Sequence, residues 1–277
     1  MIKRARRAIR NMLRTAYLVE DLDKRMERLE RIGMVAPLSP IDRHVTLHAM
    51  LRRDGLFDFS YPEWRTRRID KLLAMYGIDY FKGRRVLELG AGLCEIGAFL
   101  AELGAEVTCL EGRAETITMA RLKHRHVPNL TIEQADLEQD FSHYGRFDMI
   151  LHLGLLYHIG NVDEHLAICW GMADEVVMET VVCDSLDPHK IVYFEGRKEV
   201  IEESIHGSAS RPSPFYVERL AAEAGFGVQR LFDADLNSGA FIYDWEHKDD
   251  GDLGDFNNRR AWRFYKPADG GELPAKA

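Results

Sequence analysis

A short stretch of this 277-residue sequence combines two glycines with acidic residues between a strand-like and a helix-like pattern. Glu88 interrupts an apolar run at 86–89, and Gly90 and Gly92 follow that run, directly before a helix-like pattern. Glycines in such a turn let the backbone approach a ligand closely, and the helix N-terminus offers unpaired N–H groups. Glu111 ends the next apolar run, where an acid can accept hydrogen bonds from both ribose hydroxyls. These residues predict a site for a nucleoside-containing cofactor.

Two cofactor classes fit this arrangement, a nicotinamide dinucleotide and S-adenosylmethionine. A dinucleotide site has the pattern Gly-x-Gly-x-x-Gly, in which the third glycine permits close packing of helix on strand. The third position here is Glu95, whose carboxylate would lie near a pyrophosphate. S-adenosylmethionine has no phosphate and carries a sulfonium and an ammonium, and Glu88 is placed to attract the ammonium directly or through water. The acids therefore favour S-adenosylmethionine.

A second group of polar residues follows the later apolar runs, on the side where the C-terminal ends of parallel strands meet. His158 is the candidate general base, because histidine titrates near neutral pH, and Tyr157 is placed to orient a substrate. Glu179 at the end of one run, with Arg211 and Tyr216 around the start of the last long helix, are candidate acceptor-binding residues. Capping or packing remains the alternative for His158, Arg211 and Tyr216, and ion pairing remains the alternative for Glu179.

Alternating strand and helix patterns must position these side chains. Strands are predicted at 86–89, 106–110, 130–132, 147–151, 175–182, 228–232 and 240–243, and helices at 95–103, 114–124, 162–172 and 214–224. This alternation predicts an α/β fold with a doubly wound parallel sheet. Since only a loop separates the final two strands, we expect a hairpin that leaves one edge strand antiparallel.

Residues 1–83 are predicted to form a helical N-terminal extension that leads into the sheet. Apolar residues recur at steps of three and four over residues 1–32, which predicts an amphipathic helix close to a heptad seam. This helix could form a homodimer with a second copy, pack on its own domain, or meet a membrane or phosphorylated substrate. A second helix is predicted from Tyr61 to Gly77, with Trp64 in the core or as a lid over the cofactor. It carries a basic cluster of Arg65, Arg67, Arg68 and Lys71.

Composition limits the partners. The formal net charge of −8 and the pI of about 5.8 disfavour bulk binding to nucleic acid. The four cysteines lack the spacing of a zinc site, so we expect reduced, buried cysteines and no metal. No apolar run approaches the roughly 20 residues that span a bilayer, and no apolar segment of a secretory signal follows the basic N-terminus. The sequence therefore predicts a cytoplasmic protein without a transmembrane segment.

Several motifs, in order along the chain, resemble those of the class I S-adenosylmethionine-dependent methyltransferases. They are residues 86–92, Glu111, Ala135-Asp136-Leu137, and Phe147-Asp148-Met149-Ile150. The resemblance covers roughly residues 80–245 and implies a Rossmann-like, mostly parallel seven-stranded sheet with a reversed last strand. We expect the methyltransferase domain over 84–266, with a substrate-side insertion at 184–210, and a flexible tail after it at 267–277. It also implies that Asp136 lies near the adenine amino group and the Leu137 amide near the ring. The cofactor contacts expected from the resemblance are Glu88, Gly90, Ala91, Gly92, Glu111, Gly112, Asp136, Leu137 and Leu153.

Residues 154–158 and 178–182 are similar to a subgroup that includes tRNA wobble-uridine carboxymethyltransferases and enzymes acting on sugars, lipid-linked glycans and natural products. The tRNA enzymes carry basic residues directly after the Tyr-His pair, whereas Ile159 and Gly160 stand there in this chain. With the acidic net charge, this difference favours methyl transfer to an oxygen or nitrogen of a small-molecule or glycan acceptor. Two alternatives stay open, a tRNA-modifying methyl- or carboxymethyltransferase and a non-catalytic S-adenosylmethionine-binding scaffold.

Overall fold

The computed structural model describes residues 61–196, 198, 204–238, 241–248 and 258–267. Several predicted features lie outside these residues. They are the amphipathic helix at 1–32 with its dimer contact, the rest of the N-terminal extension up to residue 60, and all but the first residue of the tail at 267–277.

A seven-stranded sheet forms the centre of the fold, in the order β3-β2-β1-β4-β5-β9-β8. Its strands are β1 (Arg85–Leu89), β2 (Glu106–Glu111), β3 (Leu130–Gln134), β4 (Met149–Leu153), β5 (Glu175–Val181), β8 (Gly227–Leu231) and β9 (Arg259–Tyr265). Strands β1 to β5 pair in parallel, and β9 is antiparallel to both of its neighbours. The predicted doubly wound, mostly parallel sheet with a reversed last strand is confirmed.

The position of the reversed strand was predicted wrongly. The pattern placed the last strand at 240–243, but Phe241 and Ile242 make only isolated bridges. The reversed strand is β9, and it lies between β5 and β8 rather than at the edge of the sheet. Three arginines interrupt β9, two of them buried, and they hide the apolar alternation by which a strand is recognised.

Within the described ranges, five α-helices cover the two faces of the sheet. They are α1 (Tyr61–Tyr76), α2 (Glu95–Glu102), α3 (Ala114–Lys123), α4 (Val162–Met172) and α5 (Pro214–Glu223). Residues of α1, α2 and α3 pack against one side of the sheet, and residues of α4 and α5 pack against the other. Because both faces are covered, four consecutive residues of β1 are buried, which explains its nearly unbroken apolar run. The predicted helix ending before Gly77 is α1.

The segment predicted as an insertion contains a second, two-stranded sheet that the sequence pattern did not indicate. Strand β6 (Ile191–Glu195) pairs antiparallel with β7 (Ser208–Pro212). The Ser210 hydroxyl of β7 donates to the carbonyl of Leu156 at 3.1 Å, in the 3₁₀ turn that follows β4. The hairpin therefore lies against the turn that carries Tyr157 and His158.

Two further expectations concern the cysteines and membranes. All four cysteines are free and buried, as predicted. Among the residues that the structure describes, no helix has both the length and the apolar character needed to cross a membrane.

A buried histidine pair joins β4 to α4. The Nε2 atoms of His152 and His165 lie 2.8 Å apart, and His165 Nδ1 lies 2.8 Å from the carbonyl of Leu137. We assign the His165 proton to Nδ1, so that its Nε2 accepts from His152. Burial lowers the pKa of His152 well below its usual value and the pKa of His165 to about 4. Cys169 Sγ, at 3.7 Å from His165 Nε2, completes a group with metal-ligand chemistry, but hydrogen bonds between neutral groups account for its geometry.

This pair predicts acid sensitivity. Between pH about 6.5 and about 4, His165 of the unfolded chain takes up a proton that the folded chain does not, so the free energy of unfolding falls as the pH falls. One such group contributes a slope of up to about 1.4 kcal/mol per pH unit. His165→Gln should reduce this slope in urea unfolding measured across that range, while exposed His143→Gln should leave it unchanged. Equal slopes in the wild type and His165→Gln would contradict the assignment.

Candidate functional site

The loop between β1 and α2 takes a left-handed path that glycine permits. Gly90 and Gly92 have φ of 63° and 54°. A Cβ at Gly90 would lie 2.9 Å from Leu155 Cδ1, so this position also needs glycine for space. Cys94, where a glycine is usual in the motif, takes the same left-handed conformation at φ 58°, which is strained for a residue with a side chain.

Glu111 lies at the rim of this loop, as predicted for a ribose-binding acid. One of its carboxylate oxygens accepts from the Gly92 amide at 2.9 Å, and the other accepts from the Arg113 amide at 3.0 Å. The carboxylate is therefore held by backbone at the end of β2, half-buried beside the glycine loop. Its binding to ribose stays a prediction.

Glu88 points away from the rim and into the protein. Its Oε2 accepts from the Gly97 amide in the first turn of α2 at 2.8 Å and from the Cys109 thiol at 3.3 Å. Burial raises the pKa of Glu88 to about 7, and the bonds from Cys109 and Gly97 oppose that rise only in part. The carboxylate thus positions α2 behind the loop, and its contact with a cofactor ammonium stays a prediction.

The predicted adenine side is covered by the segment that precedes β7. Asp136 accepts from the Glu138 amide at 3.0 Å, and its other oxygen lies 2.9 Å from His206 Nε2. The Ile205 side chain packs on Gly112, where an added Cβ would lie 3.2 Å from Ile205 Cδ1. Neither Ile205 nor His206 was predicted as a cofactor neighbour, because nothing in the sequence indicates that this distant segment folds back over β2 and β3.

Two other predicted cofactor residues lie below the surface of the site. Leu137 is buried, and its carbonyl is the one that holds His165. Leu153 is half-buried at the end of β4 and borders a small, largely apolar cavity with Leu72 and Glu179. Ala91, in the loop itself, is also half-buried, and its amide donates to the carbonyl of Leu110 at 3.1 Å.

A buried ion triad lies at the C-terminal end of β5, where Glu179 was predicted to bind an acceptor. We call this region the acceptor side. Glu179, near the end of β5, binds Arg68 of α1 through one carboxylate oxygen and Arg259 of β9 through the other. All three side chains are at most 5% exposed. Burial alone would raise the pKa of Glu179, but Arg259 and Arg68 more than offset it and hold this pKa below its usual value. Glu179 was predicted to bind an acceptor, with ion pairing as the alternative. It forms ion pairs, and its partners are Arg68 and Arg259.

Trp64 and Gly154 place this triad at the end of β4. The Trp64 ring lies 3.3 Å from the Arg68 guanidinium carbon and 4.4 Å from that of Arg259, and its N–H donates to the Tyr243 hydroxyl. A Cβ at Gly154 would lie 2.8 Å from an Arg68 nitrogen. Trp64 is thus a buried residue, as predicted, but it also forms one wall of the acceptor side.

The predicted catalytic pair lies in the 3₁₀ turn Leu156–His158, directly after Gly154. The rings of Tyr157 and His158 are 4.1 Å apart and both are half-buried. Arg259 lies 3.4 Å from the Tyr157 hydroxyl, and Arg211 donates to the Tyr157 carbonyl at 3.4 Å. The structure therefore brings Tyr157, His158, Glu179 and Arg211 together with Arg259, which the sequence did not single out.

Tyr216 is the predicted site residue that the structure does not bring to this group. It is buried on α5, and its hydroxyl donates to Asp163 of α4. This hydrogen bond and burial raise the pKa of Tyr216 well above its usual value. Its predicted contact with an acceptor has no further support from this geometry.

Comparison with known proteins agrees with the fold. Residues 86–172 match a family model described as a methyltransferase domain. The fold is that of the class I methyltransferases. No curated protein sequence matches the chain.

Solved structures of methyltransferases share this fold at low sequence identity. The N-terminal domain of EvdMO1, crystallised with S-adenosylhomocysteine and D-fucose, is 20% identical with a TM-score of 0.54, over 72% of this chain and 82% of that one. Magnesium protoporphyrin IX methyltransferase (ChlM) from Synechocystis PCC 6803, with bound S-adenosylmethionine, is 16% identical with a TM-score of 0.52, over 84% and 99%. A methyltransferase from Mesorhizobium loti is 15% identical with a TM-score of 0.51, over 72% and 98%.

The matched domain and the ligands of these structures support S-adenosylmethionine as the cofactor. The residues of this chain fit it. The left-handed glycine loop has the half-buried carboxylate of Glu111 at its rim, which suits a cofactor that carries positive charge and no phosphate. The preference for S-adenosylmethionine over a dinucleotide is therefore confirmed, and the individual contacts stay predictions.

Replacing Glu111 tests the ribose contact. Glu111→Ala should weaken S-adenosylhomocysteine binding by on the order of a hundredfold, because two hydrogen bonds to a charged acceptor are worth about 1.5–3 kcal/mol each. Titration calorimetry measures the affinity. Glu115→Ala removes an exposed acid from the first turn of α3 and should leave the affinity unchanged. An unchanged affinity in Glu111→Ala would reject the contact.

The raised pKa of Glu88 provides a second test. If its ionised form attracts the ammonium, S-adenosylhomocysteine binding should strengthen as the pH rises toward about 7, because Glu88 loses its proton there. The change can reach about tenfold per pH unit below that pKa. Glu88→Gln keeps an acceptor for the Gly97 amide and should make the affinity independent of pH in this range. The same pH dependence in both proteins would show that another group is responsible.

Proposed function

We propose that this chain is an S-adenosylmethionine-dependent methyltransferase acting on an oxygen or nitrogen of a small-molecule or glycan acceptor. The observation that carries this proposal is the convergence of Tyr157, His158, Glu179 and Arg259 at Gly154, where β4 ends beside the glycine loop. Polar groups at this edge of a doubly wound sheet face the ligand crevice.

The residues near the C-terminal ends of the strands have separate roles in methyl transfer. When bound, S-adenosylmethionine supplies a methyl group activated by its sulfonium. The glycine loop and Glu111 orient the nucleoside, and Trp64 and Tyr157 exclude water from the acceptor side. An imidazole nitrogen of His158 would accept the proton of an acceptor hydroxyl as its oxygen takes the methyl group, or the proton of an acceptor ammonium before its nitrogen attacks. The bond from the methyl carbon to sulfur would break in the same step, and S-adenosylhomocysteine would leave.

The related structures favour a small acceptor. One was crystallised in the presence of D-fucose, a sugar, and another is a magnesium protoporphyrin IX methyltransferase. A small acceptor is therefore compatible with this fold.

The basic cluster on α1 does not support the alternative of a tRNA substrate. Every cation in it is engaged with a carboxylate of the same chain. The pairs are Arg65–Glu95, Arg67–Glu63, Arg68–Glu179 and Lys71–Asp233. Phosphate binding there would require these ion pairs to open, whereas an RNA-binding surface presents its cations to the backbone.

Replacing His158 tests its role as base. His158→Ala should leave S-adenosylhomocysteine binding within about twofold of the wild type and slow turnover by about a hundredfold or more. Release of S-adenosylhomocysteine, with the small-molecule fraction of a cell extract as acceptor, measures turnover. His143→Ala, at an exposed histidine, serves as control. Unchanged turnover in His158→Ala would reject the base, and wild-type protein that binds but never releases product would indicate the non-catalytic alternative.

A further inference from the structure

Two buried arginines from different strands flank Tyr157. Arg211 of β7 and Arg259 of β9 place their guanidinium carbons 5.2 Å and 5.0 Å from the centroid of the Tyr157 ring. Arg211 is 9% exposed and Arg259 is 4% exposed. Both belong to regular strands, so their positions are fixed by the backbone rather than by a loop.

The described part of the chain gives these two cations little negative charge. Arg211 forms no ion pair there, and it donates instead to the carbonyls of Ser210 at 2.8 Å and Tyr157 at 3.4 Å. Arg259 shares the single carboxylate of Glu179 with Arg68, and its Nε is buried without a hydrogen-bond partner among the described residues. Burial lowers the pKa of Arg211 to about 10, and the nearby Arg259 contributes to this decrease. Burying such a charge without a counter-ion is unfavourable.

We infer that the acceptor carries a carboxylate or phosphate group that Arg259 and Arg211 bind beside Tyr157. This inference rests on the proposed methyltransferase function and names its substrate class. A guanidinium offers several N–H donors in a planar fork that matches the oxygens of such anions. The Tyr157 hydroxyl, already within 3.4 Å of Arg259, supplies a further donor to the same group.

The Glu179 triad explains why the two arginines differ. Glu179 fixes Arg259 in place and neutralises part of the charge, so that this cluster of side chains is stable before an anion binds. Arg211 lacks such an acid and is held by carbonyls and by the ring of Phe194, 4.6 Å from its guanidinium carbon. Arg211 is therefore the cation that a negatively charged acceptor would neutralise most.

Binding of simple anions tests the subsite directly. Inorganic phosphate and acetate are titrated by calorimetry into wild-type protein that is already saturated with S-adenosylhomocysteine, so that the carboxylate of the cofactor product occupies its own site. Arg211→Met should weaken binding of these anions by about tenfold or more, and Arg211→Lys should retain part of it. Arg146→Met removes an exposed arginine that precedes β4, at the opposite end of that strand from Tyr157. This variant should bind both anions as the wild type does.

The outcomes separate this inference from the proposed function. Wild-type affinity of Arg211→Met for S-adenosylhomocysteine shows that it is folded, and loss of anion binding in that protein supports the subsite. If neither anion binds the saturated wild type, or if Arg211→Met binds them equally well, the inference is overturned while the proposed function stands. If S-adenosylhomocysteine fails to bind the wild type, the proposed function fails first.

Fractionation of the natural acceptor gives an independent arm. A cell extract is separated by a membrane that retains macromolecules, and the filtrate is divided on an anion exchanger. Acceptor activity, measured as S-adenosylhomocysteine release, should appear in the filtrate and be retained by the exchanger. Activity that passes the exchanger unbound contradicts an anionic acceptor. Activity retained by the membrane and destroyed by ribonuclease contradicts a small one.

Discussion

The ion triad of Glu179, Arg68 and Arg259 is the interaction on which the acceptor side depends. It ties the helix before the sheet and the reversed strand near its end to the centre of the fold. Removing one member would leave a buried charge without its partner, which is far more unfavourable than the pair itself is favourable. The three elements therefore hold their positions together, and Trp64, stacked against both arginines, fills the space between them.

The cofactor side depends on backbone groups instead. Glu88 and Glu111 bind amides of the glycine loop and of the helix that follows, so each acid fixes the loop from a different side. Burial raises the pKa of Glu88 to about 7, whereas Glu111 lies at the half-buried rim. One loop is thus held by one buried acid behind it and by one half-buried acid at its rim.

The sequence predicts those parts of the fold that have a periodic or glycine-marked pattern, and it does not predict the parts that lack one. Strands β1 to β5 have apolar runs between glycines and helices, and the loop has its glycines and acids, so both were recognised. Strand β9 was missed because Arg259, Arg260 and Arg263 mask its alternation, and its buried arginines are understood only from their partners. The contact between His152 and His165 has no periodic pattern either, because two single residues on different elements make it.

The match to a known domain covers only some of the predicted site residues. The matched methyltransferase domain spans residues 86–172, which includes the glycine loop, Glu111 and the Tyr157–His158 turn. Arg68 lies before that segment, and Glu179, Arg211 and Arg259 lie after it. The residues predicted to hold the cofactor thus lie within the matched segment, whereas most of those predicted to hold the acceptor lie outside it. Among the described residues, every buried arginine lies outside that segment, so the matched domain alone does not account for these cations.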